Sequence, residues 1–150
     1  MEICTASVGD ASHGSEEEYL PEEDEREAFR SQGGKLNFLA DTEMLTSTSA
    51  SLHLISYNSS VVRRVCNSTL KAETYNLQST VENGDLVRAA FADLHGVLDR
   101  RHWEASAASY CKHVWFTDCK SCFDTLQKPV PSKGLDKRIG KELAALRQCL

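Results

Sequence analysis

The 150-residue chain lacks any apolar run near the 18 residues that a membrane-spanning helix needs. Its first residues, Met1-Glu2-Ile3-Cys4-Thr5, have neither the basic stretch nor the long apolar stretch of a secretory signal. The expectation is therefore an intracellular protein, in cytoplasm or nucleus, that is not secreted and does not engage a membrane. Compositional bias is also missing. Apolar residues make up 41% and charged residues 26%, which excludes wholesale disorder. There is no internal repeat. Proline is scarce: Pro21 falls in a polar stretch, and Pro129 and Pro131 end a helical one. A chain of this length buries about 68–70% of its unfolded surface, enough for one domain with a true core.

Charge is present but uneven. The net charge is −5, yet residues 16–27 (EEEYLPEEDERE) alone carry −7, leaving the rest mildly basic at +2. The acid run reads as part of an insertion at 15–31 in a single domain spanning 1–150. A mildly basic body does not by itself argue for nucleic acid. The six cysteines, at 4, 66, 111, 119, 122 and 149, are expected to be free thiols in a reducing compartment. Asn58 and Asn67 fit the glycosylation pattern only if the chain is secreted.

Periodicity gives the order β-β-β-α-β-α-α. Ile3 to Val8 reads as a strand ending in a Gly9-Asp10 turn, residues 11–34 as a loop, and Lys35 to Ala40 and Ser51 to Tyr57 as strands. Three consecutive strands suggest an antiparallel meander. From Ser68 to about His95 the apolar positions Leu70, Leu77, Val81, Leu86, Val87, Ala90, Phe91 and Leu94 follow helical spacing. Ser68 and Thr69 are N-cap candidates, Gly84 marks a kink or break, and Gly96 a stop. His113 to Thr117 reads as a buried strand, Cys119 to Leu126 as a helix, and Asp136 to Leu150 as an amphipathic helix with Ile139, Leu143, Leu146 and Leu150 on one face.

Three acids stand out. Asp10 follows the first strand, Asp118 follows the fourth, and Glu73 lies on the apolar face of the long helix. A carboxylate on such a face is costly to bury unless it is paired, protonated or bound to metal. Three of them converging would suit a hard cation, because magnesium takes oxygen ligands and keeps several waters. Each acid also has a plainer reading: Asp10 a turn residue, Glu73 one half of an ion pair, Asp118 an N-cap.

Longer blocks narrow the choice. Val62-Arg-Arg-Val-Cys-Asn-Ser-Thr-Leu-Lys-Ala-Glu-Thr-Tyr75 matches the form V-x-x-S-T-x-x-A-E, and Val114-Trp-Phe-Thr-Asp-Cys-Lys-Ser121 matches a strand followed by T-D-x-K-S. With Ser7-Val-Gly-Asp-Ala-Ser12, Gln32 to Leu39 and Asp136 to Arg147, the chain resembles the RNase H domain of copia-type retrotransposon polyproteins over most of residues 3–150. The resemblance implies an α/β fold: an RNase H-like mixed sheet, with the fourth strand parallel to the first and flanking helices. It implies that Asp10, Glu73 and Asp118 are catalytic and hold Mg²⁺, with Mn²⁺ as a substitute, and such nucleases use two ions about 3.5–4 Å apart. It implies hydrolysis of the RNA strand of RNA–DNA hybrids, with 2′-hydroxyls and duplex shape telling RNA from DNA. Ser12, Lys120, Ser121, Lys137 and Arg138 become the nucleic-acid-binding candidates. A reverse transcriptase domain of the same polyprotein would be a partner, and no small-molecule cofactor is implied.

The family carries a fourth acid on a last helix, after a fifth strand. No counterpart precedes Leu150, so the expectation is a C-terminally truncated copy lacking that strand and helix. The rival reading is a catalytically dead remnant, at most a nucleic-acid-binding or structural fragment. Other motifs yield less. Cys119-x-x-Cys122 is one zinc half-site, but Cys111-x-His113 is a poor second half, and a redox role lacks its usual βαβ context. Arg63, Arg64, Arg88, Arg100 and Arg101 complete the basic residues to test for phosphate contact, and Trp103 and Trp115 read as core anchors.

Overall fold

The computed structural model describes residues 2–12, 31–64, 66, 68–128 and 136–149. Four strands and four α-helices lie among them: β1 (Ile3–Ser12), β2 (Gln32–Asp41), β3 (Leu52–Val61), α1 (Thr69–Leu94), α2 (Trp103–Tyr110), β4 (Lys112–Phe116), α3 (Lys120–Gln127) and α4 (Lys137–Gln148). The class is α/β. The strands form one mixed sheet in the order β3-β2-β1-β4, with β4 parallel to β1. The three sequence-consecutive strands are thus neighbours, as a meander requires, and the crossover through α1 and α2 delivers β4 to the far side of β1. Among the described residues no helix is long and apolar enough to cross a membrane. The expected insertion apart from Ser31, and Pro129, Pro131 and Leu150, lie outside the described residues.

Several expected boundaries move. β1 does not turn at Gly9-Asp10 but runs on to Ser12, so Asp10 is a strand residue. Gly9 is buried, and sheet pairing overrides its local turn preference. α1 is continuous through Gly84, without the expected break. α2 was not anticipated, because in WEASAASY only Ala107 is buried and no apolar stripe marks it. β3 is an edge strand whose Leu52, Leu54 and Ile55 stay exposed, and β4 is half-exposed rather than buried. Leu86 and Leu94 also face solvent, which narrows the buried stripe of α1 to residues such as Leu77 and Val81. Trp103 and Trp115 are only half-buried.

The described chain divides into two compact units. The first comprises Met1–Val8, Lys35–Asn58 and Ser79–Phe116. One apolar cluster there joins Cys4, Ala6 and Ala40 with Phe38 and Met44. The opposite face of β1 is polar and buried. Ser7 Oγ donates to Asn37 Oδ1 (2.6 Å) and pairs with His113 Nε2 (2.7 Å), while His113 Nδ1 donates to Asp85 Oδ1 (2.9 Å), which also takes Arg88 (2.8 Å). Asn37 Nδ2 continues the chain to Ser56 Oγ at 3.1 Å. Ser7 is wholly buried, so this Ser–His–Asp series is a satisfied interior network and not a nucleophile open to substrate. A side chain at Gly84 would collide with the His113 ring and with Ser7 Oγ, which is why α1 carries glycine there. Gly96 ends α1 with φ +69°, as its expected stop role requires.

The second unit comprises Gly9–Gly34, Ser59–Gln78 and Thr117–Leu150. Ser68 Oγ accepts from Lys71 N at 3.3 Å, the expected N-cap of α1. Asp136 caps α4 by accepting from Arg138 N at 2.8 Å, and Ile139, Leu143 and Leu146 form the buried face of that helix. Arg147 ties α4 to the end of α3 by donating to the carbonyls of Leu126 (3.2 Å) and Thr125 (2.5 Å).

Candidate metal centre

Asp10, Glu73 and Asp118 all belong to the second unit, where one carboxylate oxygen from each lies within 4.8 Å of the others. Strand register explains two of the three. In the parallel β1–β4 ladder the last pair is Val8↔Phe116. Asp10 and Asp118 each stand two residues further along, Asp10 still within β1 and Asp118 just past the end of β4, so both chains bring a carboxylate to the same level. Glu73 comes from α1. It is only 4% exposed, whereas Asp10 and Asp118 are exposed. The cluster is thus a buried acid with two solvent-facing acids at its mouth.

The plainer readings of these acids do not hold. Asp10 is not in a turn. Asp118 does not cap α3, whose N-cap is Cys119, itself braced by Cys119 N donating to Thr117 Oγ1 at 3.2 Å. No ion pair among the described residues joins any of the three acids to a Lys or Arg. Burial pushes the Glu73 carboxyl up to about 7, and the Asp10 and Asp118 charges add to the rise. The backbone N–H of Ala11 opposes it by hydrogen-bonding to the carboxylate.

Neighbours fix the geometry. Asn76, three residues after Glu73 and on the same face of α1, donates from Nδ2 to the carbonyls of Asp10 (2.8 Å) and Gly34 (2.9 Å). Gly33 lies so close to Asn76 that a Cβ there would overlap its side chain. On the other side of Glu73, Thr74 Oγ1 donates to Leu70 O (2.7 Å) and lies 3.9 Å from Cys122 Sγ. Burial pushes the Cys122 thiol up to about 11, so it stays protonated and inert. Asn76 was not singled out from sequence. The available signal was a polar residue one helical turn beyond Glu73.

The other expected site residues are more dispersed. Ser12 is exposed at the end of β1, with the same strand parity as Asp10. Lys120 and Ser121 open α3. Both are exposed, with Lys120 paired to Asp124 at 2.9 Å and Ser121 Oγ 3.3 Å from Cys119 Sγ. Lys137 and Arg138 are exposed on the first turn of α4. Arg88 is turned inward to Asp85 and does not face a ligand. Among the described residues Asp10, Glu73 and Asp118 are the one cluster of three metal-competent side chains, so the cysteine and histidine motifs assemble no zinc site there, and all six cysteines carry thiols rather than disulfides.

The donor set fits a hard divalent cation. It consists of oxygen only, no basic side chain among the described residues pairs with it, and two of its members are open to solvent. No protein-family model, curated protein or solved structure matches the chain.

Proposed function

We propose that this chain is a metal-dependent endoribonuclease module of a retroelement polyprotein, with an RNase H-like fold, hydrolysing the RNA strand of RNA–DNA hybrids. The observation that carries the reading is the convergence of Asp10, Glu73 and Asp118 from β1, α1 and the segment after β4. The order of the sheet, with β4 parallel to β1, supports the same fold.

In this reading Asp10, Glu73 and Asp118 hold Mg²⁺, which when bound eases deprotonation of the attacking water and offsets charge on the leaving 3′ oxygen. The chain's own groups do the positioning. Asn76 fixes the β1 backbone at Asp10, and the Ala11 N–H steadies the ionised form of Glu73. Ser12, Lys120 and Ser121 flank the two exposed acids in sequence and are the exposed groups that would meet neighbouring phosphates. The water oxygen bonds to phosphorus, the bond to the 3′ oxygen breaks, and the proton lost by water ends on that oxygen. The products are a 5′-phosphate and a 3′-hydroxyl.

The test is a matched panel of end-labelled duplexes of one sequence, incubated with the full chain and Mg²⁺. Cleavage of the RNA strand in the hybrid, with the all-DNA duplex left intact, is the expected result. Hybrid binding without cleavage points instead to the catalytically dead remnant, a reading favoured by the presence of three acids rather than four among the described residues.

A further inference from the structure

We propose that a second, non-catalytic site for a phosphate group lies in the second unit, in a cavity between α1 and α4. The cavity measures about 410 Å³ and is lined by Arg64, Lys71, Tyr75, Arg138, Lys141 and Glu142. Its size falls in the range of small-ligand pockets, about 300–1,000 Å³. Lys71 and Tyr75 are four residues apart on α1 and share a face, whereas Glu73 between them is turned by roughly 200° of helix rotation. The cavity therefore opens on the other flank of α1 from the three acids, so a phosphate seated there is not the one being cut.

The charges are unbalanced. Four cations line the space. Arg64 is tied to Glu142 and its guanidinium lies 4.7 Å from the centre of the Tyr75 ring. Lys71 Nζ is held by Asp136 Oδ2 at 2.9 Å, and that carboxylate is further engaged by Arg138 N. Arg138 and Lys141 have exposed side chains, and no ion pair among the described residues takes up their charge. The cavity and its capping Asp136 thus carry a surplus of two positive charges in a chain of net charge −5.

The kind of anion follows from the arrangement. Cations reach the space from Arg64 and from Lys71 in the first turn of α1 on one side, and from Arg138 and Lys141, three residues apart on α4, on the other. That spread suits a tetrahedral anion with several oxygens better than a planar carboxylate. The Arg138 fork can engage two phosphate oxygens while Lys141 acts as a point charge on a third. The Tyr75 ring and the aliphatic stems of Arg64 and Lys71 give the walls an apolar surface against which a sugar can lie. The shared chemistry is a phosphate, whether in a nucleic-acid strand or in a free nucleotide. Only the strand source rests on the nuclease reading above.

The experiment uses the full, ¹⁵N-labelled chain without divalent metal. It is titrated separately with inorganic phosphate, with a mononucleotide and with a short RNA–DNA hybrid, and amide shifts are followed. Lys71, Tyr75, Arg138 and Lys141 are expected to shift together. Saturation by the hybrid at far lower concentration than by the mononucleotide identifies a strand phosphate, and the reverse order identifies a free ligand. The Arg138→Ala/Lys141→Ala variant should bind the favoured probe at least tenfold more weakly. If that probe is the hybrid, its salt dependence should flatten by about one phosphate contact. Both positions are exposed, and Arg138→Gln alone provides a milder variant that should fall between the two. Unshifted amides at these four residues with every probe, or wild-type affinity in the double variant, would overturn the site. A hybrid bound here yet uncut with Mg²⁺ leaves the site standing and removes the nuclease reading. Cleavage with unaltered binding by the double variant does the opposite.

Discussion

Asn76 Nδ2 donates to the backbone carbonyl of Asp10 at 2.8 Å, three residues along α1 from Glu73. The helix that carries the buried acid is thereby fastened to the strand that carries an exposed one, at the residue where the two must meet. The same amide reaches the Gly34 carbonyl on β2 at 2.9 Å, and Gly33 leaves the room it needs.

Removing this fastening should loosen the site before it unfolds the chain. Asn76→Ala deprives two carbonyls of their donor, at an expected loss of about 1–3 kcal/mol of stability. Partners of this kind, which hold metal ligands in place, typically contribute about 10–100-fold to metal affinity. Thermal unfolding together with Mn²⁺ titration checks both values. Full metal affinity in Asn76→Ala would show that the clamp does not position the acids.

The pH dependence has a definite sign. Burial lifts Glu73 from its ordinary 4.5 to about 7. The native state therefore keeps a proton that the unfolded chain gives up between those values, so the metal-free fold should lose stability as pH rises through this window. A bound cation needs the ionised carboxylate, so metal affinity should climb over the same window and level off above about pH 7. Comparing wild type with Glu73→Gln at pH 5 and pH 8 isolates this group. A pH-dependent difference of the opposite sign would refute the assignment.

The buried Ser7–His113–Asp85 series should behave as structure. Gly84→Ala drives a methyl group into His113 and Ser7, for an expected loss of about 1–3 kcal/mol, and His113→Ala should fall in a similar range by leaving Ser7 and Asp85 short of a partner. Denaturant unfolding curves give both numbers. An undiminished midpoint in either variant would mean that this packing is looser than described.

Much of the site was legible in the sequence because its logic is local. Ile3 to Val8 and His113 to Thr117 read as strands from composition, and Asp10 two residues past the first and Asp118 directly after the second are a matter of counting. Glu73 drew notice as a charge on an apolar stripe. What escaped was set by tertiary pairing. Gly9-Asp10 has turn chemistry, yet β1 passes straight through it to Ser12. The apolar alternation of β3 marked a strand without telling that it lies at a sheet edge, with Leu52 and Leu54 exposed. Nor does any spacing reveal that His113, which reads as a strand residue and half of a poor zinc motif, closes a hydrogen-bonded series with Ser7 and Asp85.

Thiol chemistry offers an independent check of the core. Cys149 is exposed and Cys119 partly so, while Cys4, Cys66, Cys111 and Cys122 are buried. Native alkylation read by mass spectrometry should label Cys149 first and Cys119 next, and should spare Cys122, whose thiol burial holds at about 11. Early labelling of Cys122 would contradict its place beside Thr74.

The central claim is that three carboxylates act together on a bound phosphodiester. Single-turnover cleavage of an RNA–DNA hybrid by wild type and by Asp118→Asn, with Mg²⁺ and at equal folded concentration, tests it most directly. The account predicts clear cleavage of the RNA strand by wild type and a loss of about 100-fold or more in the variant. Equal rates in the two proteins would contradict it.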